Sequence, residues 1–331
     1  MNFKRALIWQ HRKLLNIARL QGSFSYQPAT LSFTLTGACN LRCSMCSTRS
    51  KEALFLDPDH ITRTIDEVSG KWWWKRPVIH LIGGEPLLHP AFNDLVEYIR
   101  GKGFPVAITT NGYQLERHID HLLSVKVNHI TISIDGPEEL HDGIRGVKGS
   151  YAHARKSVSM INESRGYKPT IAVNCTISPA NQDRLVETIG TLDTWGIRSI
   201  TVQHLVFDRN DTSLADEIST DIVNRELTQI KNSPPRTTYN VFPPIKPRDI
   251  EAYYRDLEYP FGRHCVVPWL VARIYPGSEV APCLDLYMGS LGSYSLFDIW
   301  NNSRWRRLRL TRKTGKLLPG CVRCCHRQYY G

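Results

Sequence analysis

The run Cys39-Asn-Leu-Arg-Cys43-Ser-Met-Cys46 places three thiols just after a strand-like segment. Three residues separate the first two cysteines, and two residues separate the second from the third. Thiolates are soft donors that suit iron–sulfur clusters, and a closed cluster of four irons takes four cysteines. Three cysteines leave one iron without a protein ligand, so another molecule can bind there. A zinc knuckle, which needs four ligands, and buried structural thiols are the alternatives. The run favours an iron–sulfur cluster with one open iron.

Around this run, short β-rich segments alternate with helical patterns. The predicted strands cover residues 31–36, 78–83, 105–111, 129–135, 170–178 and 199–207. One helix begins at Asp57-Pro58, an N-cap followed by proline, and others lie near 92–102, 115–125, 151–164 and 182–195. Six β-α units in series predict an α/β fold with a parallel sheet and right-handed crossovers. In barrels of this kind, chemistry gathers at the C-terminal ends of the strands.

The composition fits one large domain and a smaller one, since 41% of the 331 residues are hydrophobic. Nine cysteines fall in two clusters with one outlier, Cys175. This distribution does not resemble a disulfide framework, and no secretory signal peptide precedes it. No apolar run approaches the roughly 20 residues needed to span a bilayer. We therefore expect a cytoplasmic protein with reduced thiols.

The chain is basic, with 42 Lys and Arg against 31 Asp and Glu and a formal net charge of +11. This balance favours an anionic small molecule, nucleic acid or a lipid surface as partner. The basic run over 304–313 fits RNA contact or the solvated face of a helix, and we favour the helix face. The predicted amphipathic helix in residues 1–30 suits packing against the main domain or peripheral contact with a membrane.

The spacing of Cys39, Cys43 and Cys46 resembles the signature of the radical S-adenosylmethionine (SAM) superfamily. In that family the amine and carboxylate of SAM chelate the open iron of a 4Fe–4S cluster. The six β-α units match its open barrel. The resemblance therefore implies a partial (β/α)6 TIM-like barrel over residues 31–232 that binds this cluster and SAM.

The second predicted strand ends in Gly83-Gly84-Glu85-Pro86. Glycines allow a backbone to come close to a ligand. In the family this turn hydrogen-bonds the amino group of SAM, so the resemblance assigns that role to Gly83, Gly84 and Glu85. A plain strand-to-loop turn is the alternative.

Polar residues at the ends of the next strands also match the family pattern. Strand alternation puts Ser133 and Asp135 on one face, and Arg145 follows as a candidate partner of the SAM carboxylate. Asn174 is expected to face SAM, which turns Cys175 towards the helices as a buried thiol. The alternative for Asn111-Gly112 and Asp135-Gly136 is that these residue types only form turns. The predicted SAM-contacting residues of these strands are Thr109, Asn111, Ser133, Asp135, Arg145 and Asn174.

The C-terminal part begins after a proline-rich stretch, 233–249, that we interpret as a linker. The module over 250–331 is predicted to contain two strands about Pro276-Gly277 and a helix over 295–311 capped by Ser295. Its cysteines are Cys265, Cys283, Cys321, Cys324 and Cys325.

The spacing of these cysteines resembles the auxiliary-cluster module called twitch, a shorter relative of the SPASM domain. The resemblance implies a second 4Fe–4S cluster held by Cys265, Cys283, Cys321 and Cys324, because the two clusters of a full SPASM domain need more thiols. A four-cysteine zinc site is the alternative. Cys325 could replace Cys324 as a ligand or act as a proton or hydrogen donor.

The resemblance implies that SAM cleavage gives a 5′-deoxyadenosyl radical that removes a hydrogen atom from the substrate. We expect a polar, anionic small molecule, such as a sugar derivative or nucleoside, to be oxidised with the auxiliary cluster as electron acceptor. The expected protein partner is a one-electron reductase such as flavodoxin or ferredoxin.

Other functions are open. They are peptide modification (epimerisation, thioether formation or cross-linking), modification of RNA or lipid, and a non-enzymatic iron–sulfur or zinc protein that binds nucleic acid. Only 38 residues precede Cys39, which counts against an N-terminal leader-peptide domain. A non-enzymatic protein does not explain a cluster that lacks a fourth cysteine beside Gly83–Glu85.

Overall fold

The computed structural model describes residues 22–46, 54–71, 76–206, 212–257, 265–283 and 286–315, with Leu318, Cys321 and Cys324. The predicted N-terminal helix and Cys325 lie outside these residues. No described helix has the length and apolar character needed to cross a membrane.

All described strands belong to one ten-stranded sheet in the order β10-β9-β8-β1-β2-β3-β4-β5-β6-β7. Strands β1 to β7 run parallel, β8 adds parallel to β1, and β9 and β10 continue antiparallel. The strands are β1 Thr30–Thr34, β2 Val78–Ile82, β3 Val106–Thr110, β4 His129–Ser133, β5 Thr170–Thr176, β6 Ser199–Gln203, β7 Thr238–Phe242, β8 Val271–Ile274, β9 Glu279–Ala281 and β10 Gly289–Ser290.

Helices connect the parallel strands and cover one face of the sheet, as the alternating pattern predicts. The six predicted strands are confirmed, and each ends one to four residues earlier than predicted. The helix Glu138–Arg145, between β4 and the next helix, was not predicted from the sequence. The helices are Pro58–Lys71, Phe92–Gly101, Ile119–Ser124, Glu138–Arg145, Ser150–Glu163, Leu185–Leu192, Ser213–Asp216, Thr220–Asn232, Ile250–Arg255, Val267–Leu270, Leu296–Trp300 and Ser303–Lys313.

The segment predicted as a linker contains β7, which corrects the proposed boundary of the barrel. Residues Thr238–Phe242 pair in parallel with Ser199–Gln203 over five residues. The prolines flank this strand rather than interrupt it, so they leave its ladder N–H groups intact. The barrel sheet therefore extends to residue 242.

The C-terminal module is joined to the barrel by its own first strand. β8 pairs with β1, and β8 and β9 form the predicted antiparallel pair about Pro276-Gly277. The predicted single helix over 295–311 is two helices, because the chain breaks at Asn301 and Asn302. Ser295 caps the first and Asn302 caps the second through side-chain hydrogen bonds to backbone N–H groups.

The two faces of the sheet differ in chemistry. Alternate residues such as Phe33, Leu81, Ile108 and Val202 are fully buried against the helices. The residues between them form the inner face, which is partly exposed and carries mainly hydroxyl, amide and imidazole groups. This inner face borders the space into which the C-terminal ends of the strands open.

Candidate active site and auxiliary metal site

The cysteine loop, residues 37–46, leaves the C-terminal end of β1 and rests on the helix Glu138–Arg145. The backbone N–H groups of Arg42 and Ser44 donate to the carbonyl oxygens of Arg145 and Ile144 at 2.9 and 3.0 Å. Carbonyls in the last turn of a helix lack intrahelical partners, so the loop satisfies them. Cys39 and Cys46 are exposed and Cys43 is half-buried. The helix that the sequence did not predict therefore supports the three thiols.

Gly83 and Gly84 let the end of β2 contact the start of the cysteine loop. Gly84 N donates to Thr36 O and Glu85 N to Ala38 O, both at 2.8 Å. A Cβ atom would lie 2.6 Å from Thr36 O at Gly83 and 2.2 Å from Ala38 O at Gly84. The absence of side chains is thus required by backbone docking within the protein. The predicted contact of this turn with SAM stays a prediction.

Glu85 is fully buried and ties the ends of β2 and β3 together. Its carboxylate accepts hydrogen bonds from Thr110 Oγ1 at 2.7 Å, Asn111 N at 2.8 Å and Leu87 N at 3.2 Å. Burial raises the pKa of Glu85 to about 7, against the effect of these donors. Because the carboxylate is already satisfied inside the protein, its evident role is to hold the turn.

Asn111 reaches the cysteine loop from the end of β3. Its Nδ2 donates to Asn40 Oδ1 at 2.8 Å and lies 3.8 Å from Cys39 Sγ. Thr109 lies deeper on the inner face, where its hydroxyl contacts His80 Nε2 at 2.9 Å. Of these two predicted residues, only Asn111 borders the thiols.

Asp135 and Arg145 are paired with each other beneath Cys43. Arg145 Nη2 lies 2.5 Å from Asp135 Oδ2, and Arg145 Nη1 lies 3.6 Å from Cys43 Sγ. Asp135 is 0% and Arg145 8% exposed. Burial alone would lower the pKa of Arg145, but Asp135 and Cys43 raise it overall, so the guanidinium is charged. It places a positive charge beside Cys43, and its contact with the SAM carboxylate stays a prediction.

Asp135 is held in place by further contacts. Its Oδ1 accepts from Thr176 N at 2.9 Å, and its N–H donates to His141 Nδ1 at 3.1 Å. Burial and the charge of Arg145 lower the pKa of His141 to about 3, which keeps this nitrogen an acceptor. His141 was missed in the sequence because the helix that carries it was not predicted.

Ser133 and Asn174 pair in register on the inner face, and Asn174 Nδ2 donates to Gln203 Oε1 at 3.2 Å. The neighbouring Cys175 is fully buried in the core, as predicted. Asp135 is turned into its ion pair, so Ser133 and Asn174 are the two of these predicted residues that border the inner space. Their contact with SAM stays a prediction.

One small cavity of about 30 Å³ in the C-terminal module is lined by apolar side chains, by Arg312 and by four cysteines: Cys265, Cys283, Cys321 and Cys324. Burial, reinforced by the neighbouring thiols, raises the pKa of both Cys265 and Cys283 to about 12. Thiolates in such a site need a cation or cluster to offset their charge. The cysteine set fits an iron–sulfur cluster, and none of the eight described cysteines forms a disulfide.

Two family models match the chain. Residues 33–192 match the model of the radical SAM superfamily, and residues 265–325 match SPASM, described as an iron-sulfur cluster-binding domain. The chain belongs to the radical SAM superfamily and is an enzyme with a C-terminal SPASM domain. Its cofactors are a SAM-binding iron–sulfur cluster and an auxiliary iron–sulfur cluster. The match is to SPASM, while the single-cluster, twitch-like form stays a prediction.

Curated relatives include a heme synthase, a cofactor-modifying protein and a bacteriocin biosynthesis protein. The chain is 31% identical over 198 residues to the AdoMet-dependent heme synthase of Methanosarcina barkeri, covering 58% of this chain and 54% of that protein. It is 26% identical over 326 residues to the tungsten-containing aldehyde ferredoxin oxidoreductase cofactor-modifying protein of Pyrococcus furiosus, covering 89% and 86%. It is 32% identical over 143 residues to the Bacillus subtilis subtilosin biosynthesis protein AlbA, covering 41% and 31%.

The chain spans about half the length of the first curated relatives it matches, 54%, 49% and 43%. Among solved structures, Streptococcus suis SuiB bound to S-adenosylmethionine aligns with a TM-score of 0.67 at 14% identity, covering 93% of this chain and 74% of that one. At that identity the likeness is one of fold, and it includes both the partial barrel and the C-terminal module.

Proposed function

We propose that this enzyme is a radical SAM oxidoreductase that oxidises an anionic small molecule held inside the partial barrel, with the auxiliary cluster as acceptor of the second electron. When bound at Cys39, Cys43 and Cys46, a 4Fe–4S cluster and SAM supply the radical that removes a hydrogen atom from the substrate. We further propose that the auxiliary cluster is a single 4Fe–4S cluster on Cys265, Cys283, Cys321 and Cys324.

One observation carries this proposal: Arg273 on β8 lies between the inner face of the barrel and the auxiliary site. It is in register with Ser32 of β1 on one side and with Ala281 of β9 on the other. Its charge lowers the pKa of His80 on the inner face, after the larger effect of burial, and opposes the raised pKa of Cys283. A substrate inside the barrel that contacts Arg273 would therefore be close to the auxiliary site.

The protein's own groups hold and orient the reacting partners. The docking of Gly84 and Glu85 against the cysteine loop, together with the Arg42 and Ser44 hydrogen bonds, fixes where the three thiols lie. The exposed side of Cys39 and Cys46 leaves room for SAM, and Ser133 and Asn174 border the space below. Fixed positions of this kind are how a protein aligns a cofactor with a C–H bond.

The names of the relatives favour a cofactor precursor as substrate. The heme synthase and the cofactor-modifying protein are named for cofactors, and the match to the latter extends over most of both chains. We propose that the substrate is a cofactor precursor that is an organic acid, ahead of a sugar derivative or nucleoside. Peptide modification is the second candidate, supported by the match to AlbA over 143 residues.

The proposed electron donor is a flavodoxin or ferredoxin. The net charge of +11 suits association with an acidic carrier protein.

The test begins with protein whose clusters are reconstituted without oxygen. Two 4Fe–4S clusters correspond to about eight irons per chain, whereas about four irons with one zinc would remove the auxiliary-cluster proposal. With SAM and dithionite the protein should release 5′-deoxyadenosine. Cys43→Ala should abolish this release, and Cys175→Ala, which changes a buried thiol outside both sites, should not.

The reaction type is tested with candidate acids and peptides. Transfer of deuterium from a labelled acid to 5′-deoxyadenosine, with a product lighter by two hydrogens, supports oxidation. Solvent deuterium in a product of unchanged mass, or a modified peptide in place of an acid, would contradict it.

A further inference from the structure

The inner face of the barrel has an unusual charge distribution. None of the strands β1 to β8 contains Asp or Glu. The inner face instead presents hydroxyls and amides, with the imidazoles of His80 and His129 and the guanidinium of Arg273. A lumen of this composition favours a ligand that brings negative charge with it.

The basic groups are concentrated at one level of the barrel. Ser32 on β1 is in register with His80 on β2 and with Arg273 on β8. His80 is in turn in register with Ala107, and Ala107 with His129. Five consecutive strands, β8-β1-β2-β3-β4, thus carry one guanidinium and two imidazoles at this level, and Arg273 and His80 lie on the two strands that flank Ser32.

The Ser32 hydroxyl is a second, independent sign of a ligand. Ser32 is only 2% exposed, and its Oγ has no hydrogen-bond partner among the residues that the structure describes. A buried hydroxyl without a partner costs free energy, so such groups are normally satisfied. An acceptor that enters between Arg273 and His80 would supply the missing bond.

The two histidines are oriented by hydroxyl groups, His80 by Thr109 of the neighbouring strand β3 and His129 by Thr131 of its own strand. His80 Nε2 lies 2.9 Å from Thr109 Oγ1, and His129 Nε2 lies 3.0 Å from Thr131 Oγ1. Burial, with smaller contributions from Arg273 and His129, lowers the pKa of His80 to about 4. At neutral pH the lumen therefore carries the charge of Arg273 beside neutral imidazoles that can donate hydrogen bonds.

We propose that Arg273, His80 and Ser32 form an oxyanion site that binds a carboxylate or phosphate group of the substrate. This inference rests on the proposed function and specifies its substrate class. Ser32 precedes Thr36, the residue just before the cysteine loop, by four residues, or roughly 13 Å of strand. The substrate is then an elongated acid whose anionic end lies deep in the barrel and whose reacting carbon lies nearer the three cysteines.

The test measures binding of simple anions to the reconstituted holoenzyme by calorimetry, without turnover. Inorganic phosphate and malonate serve as probes, and the tighter of the two identifies the type of acid group. Wild-type protein should bind one anion per chain in a saturable event. Arg273→Met should weaken binding about 10- to 100-fold, since a charge-assisted hydrogen bond and a full charge are lost.

Two milder variants keep the test informative if Arg273→Met does not fold. Arg273→Lys retains the charge and should weaken binding less than Arg273→Met. Ser32→Ala removes only the buried hydroxyl and should weaken binding by about 3- to 10-fold. The control is Arg307→Met, because Arg307 is an exposed cation on the helix Ser303–Lys313, and its removal should leave binding unchanged.

Equal affinity in wild type, Arg273→Met and Ser32→Ala, or the absence of any one-site binding, would overturn the inference. The release of 5′-deoxyadenosine by wild-type protein is measured in parallel. Release without anion binding refutes the oxyanion site alone, whereas anion binding without release refutes the proposed function.

Discussion

The two cysteine sites differ in how far they are open to solvent. The cysteine loop presents Cys39 and Cys46 at the surface, and a buried ion pair supports Cys43 from below. The C-terminal cysteines are half-buried and line one cavity with apolar side chains and Arg312, and burial raises the pKa of Cys265 and Cys283 to about 12. Three cysteines, two of them exposed, suit a cluster that must bind another molecule, and four half-buried cysteines suit a cluster that must not.

Removing one ligand from each site gives the largest expected contrast. Cys43→Ala and Cys265→Ala should each lower the iron content from about eight to about four per chain. Only Cys43→Ala should abolish release of 5′-deoxyadenosine in the presence of dithionite, because the open iron lies in that site. Iron analysis and product chromatography check this. Equal loss of SAM cleavage in both variants would show that the sites are not functionally separate.

Gly84→Ala should damage the cysteine loop selectively. The added Cβ would meet Ala38 O at 2.2 Å, so the loop or β2 must shift at a cost of at least about 1–3 kcal/mol. We expect loss of iron from the SAM site with the auxiliary cluster retained, measured by iron content and Mössbauer spectroscopy. The matched control is Gly101→Ala, where a Cβ meets nothing within 4 Å. Normal iron content in Gly84→Ala would contradict the docking argument.

Arg145 should tune the cluster on the cysteine loop. Replacing it by Gln removes a positive charge and an N–H donor 3.6 Å from Cys43 Sγ. Reduction adds negative charge, so loss of this cation should lower the midpoint potential of that cluster by on the order of 50 mV. A redox titration followed by electron paramagnetic resonance measures the shift, and Arg145→Lys should shift it less. An unchanged midpoint potential in Arg145→Gln would show that Arg145 does not tune the cluster on the cysteine loop.

Arg312 offers the corresponding change at the auxiliary site, with a smaller effect. Arg312 is 3% exposed and lines the cavity. Its charge lowers the pKa of Cys265, but by less than burial raises it. Arg312→Gln should lower the auxiliary potential by roughly 20 mV and leave the other cluster unchanged. A larger shift here than in Arg145→Gln would reverse the contrast between the two sites.

The sequence predicts the sheet well because each of its first six strands is apolar on the alternate residues that face the helices. It does not predict β7, since prolines on both sides of Thr238–Phe242 suggest a linker, and Tyr239 and Val241 alone give little periodicity. The helix Glu138–Arg145 is also not predicted from the sequence, for a related reason. Its sequence EELHDGIR contains a glycine and few apolar residues, and its stability comes from contacts with the cysteine loop.

Candidate residues were identified by type and position, but their partners depend on contacts distant in the chain. Asp135 and Arg145 were predicted one by one as SAM contacts, and their pairing with each other was not predicted, because it depends on the helix that returns Arg145 to the end of β4. Arg273 and His80 were not singled out, although strand alternation would have placed both on the inner face. Their proximity required the pairing of β8 with β1, which joins residues about 240 positions apart.

That pairing also limits how the molecule can be dissected. β1 is an interior strand only because β8 covers one of its edges. A chain truncated near residue 257 would leave the N–H and C=O groups of β1 exposed on that side, which is a template for edge-to-edge association. We expect such a fragment to aggregate on expression, so a graft of this barrel onto a different C-terminal domain would succeed only if the new domain brought a strand of its own.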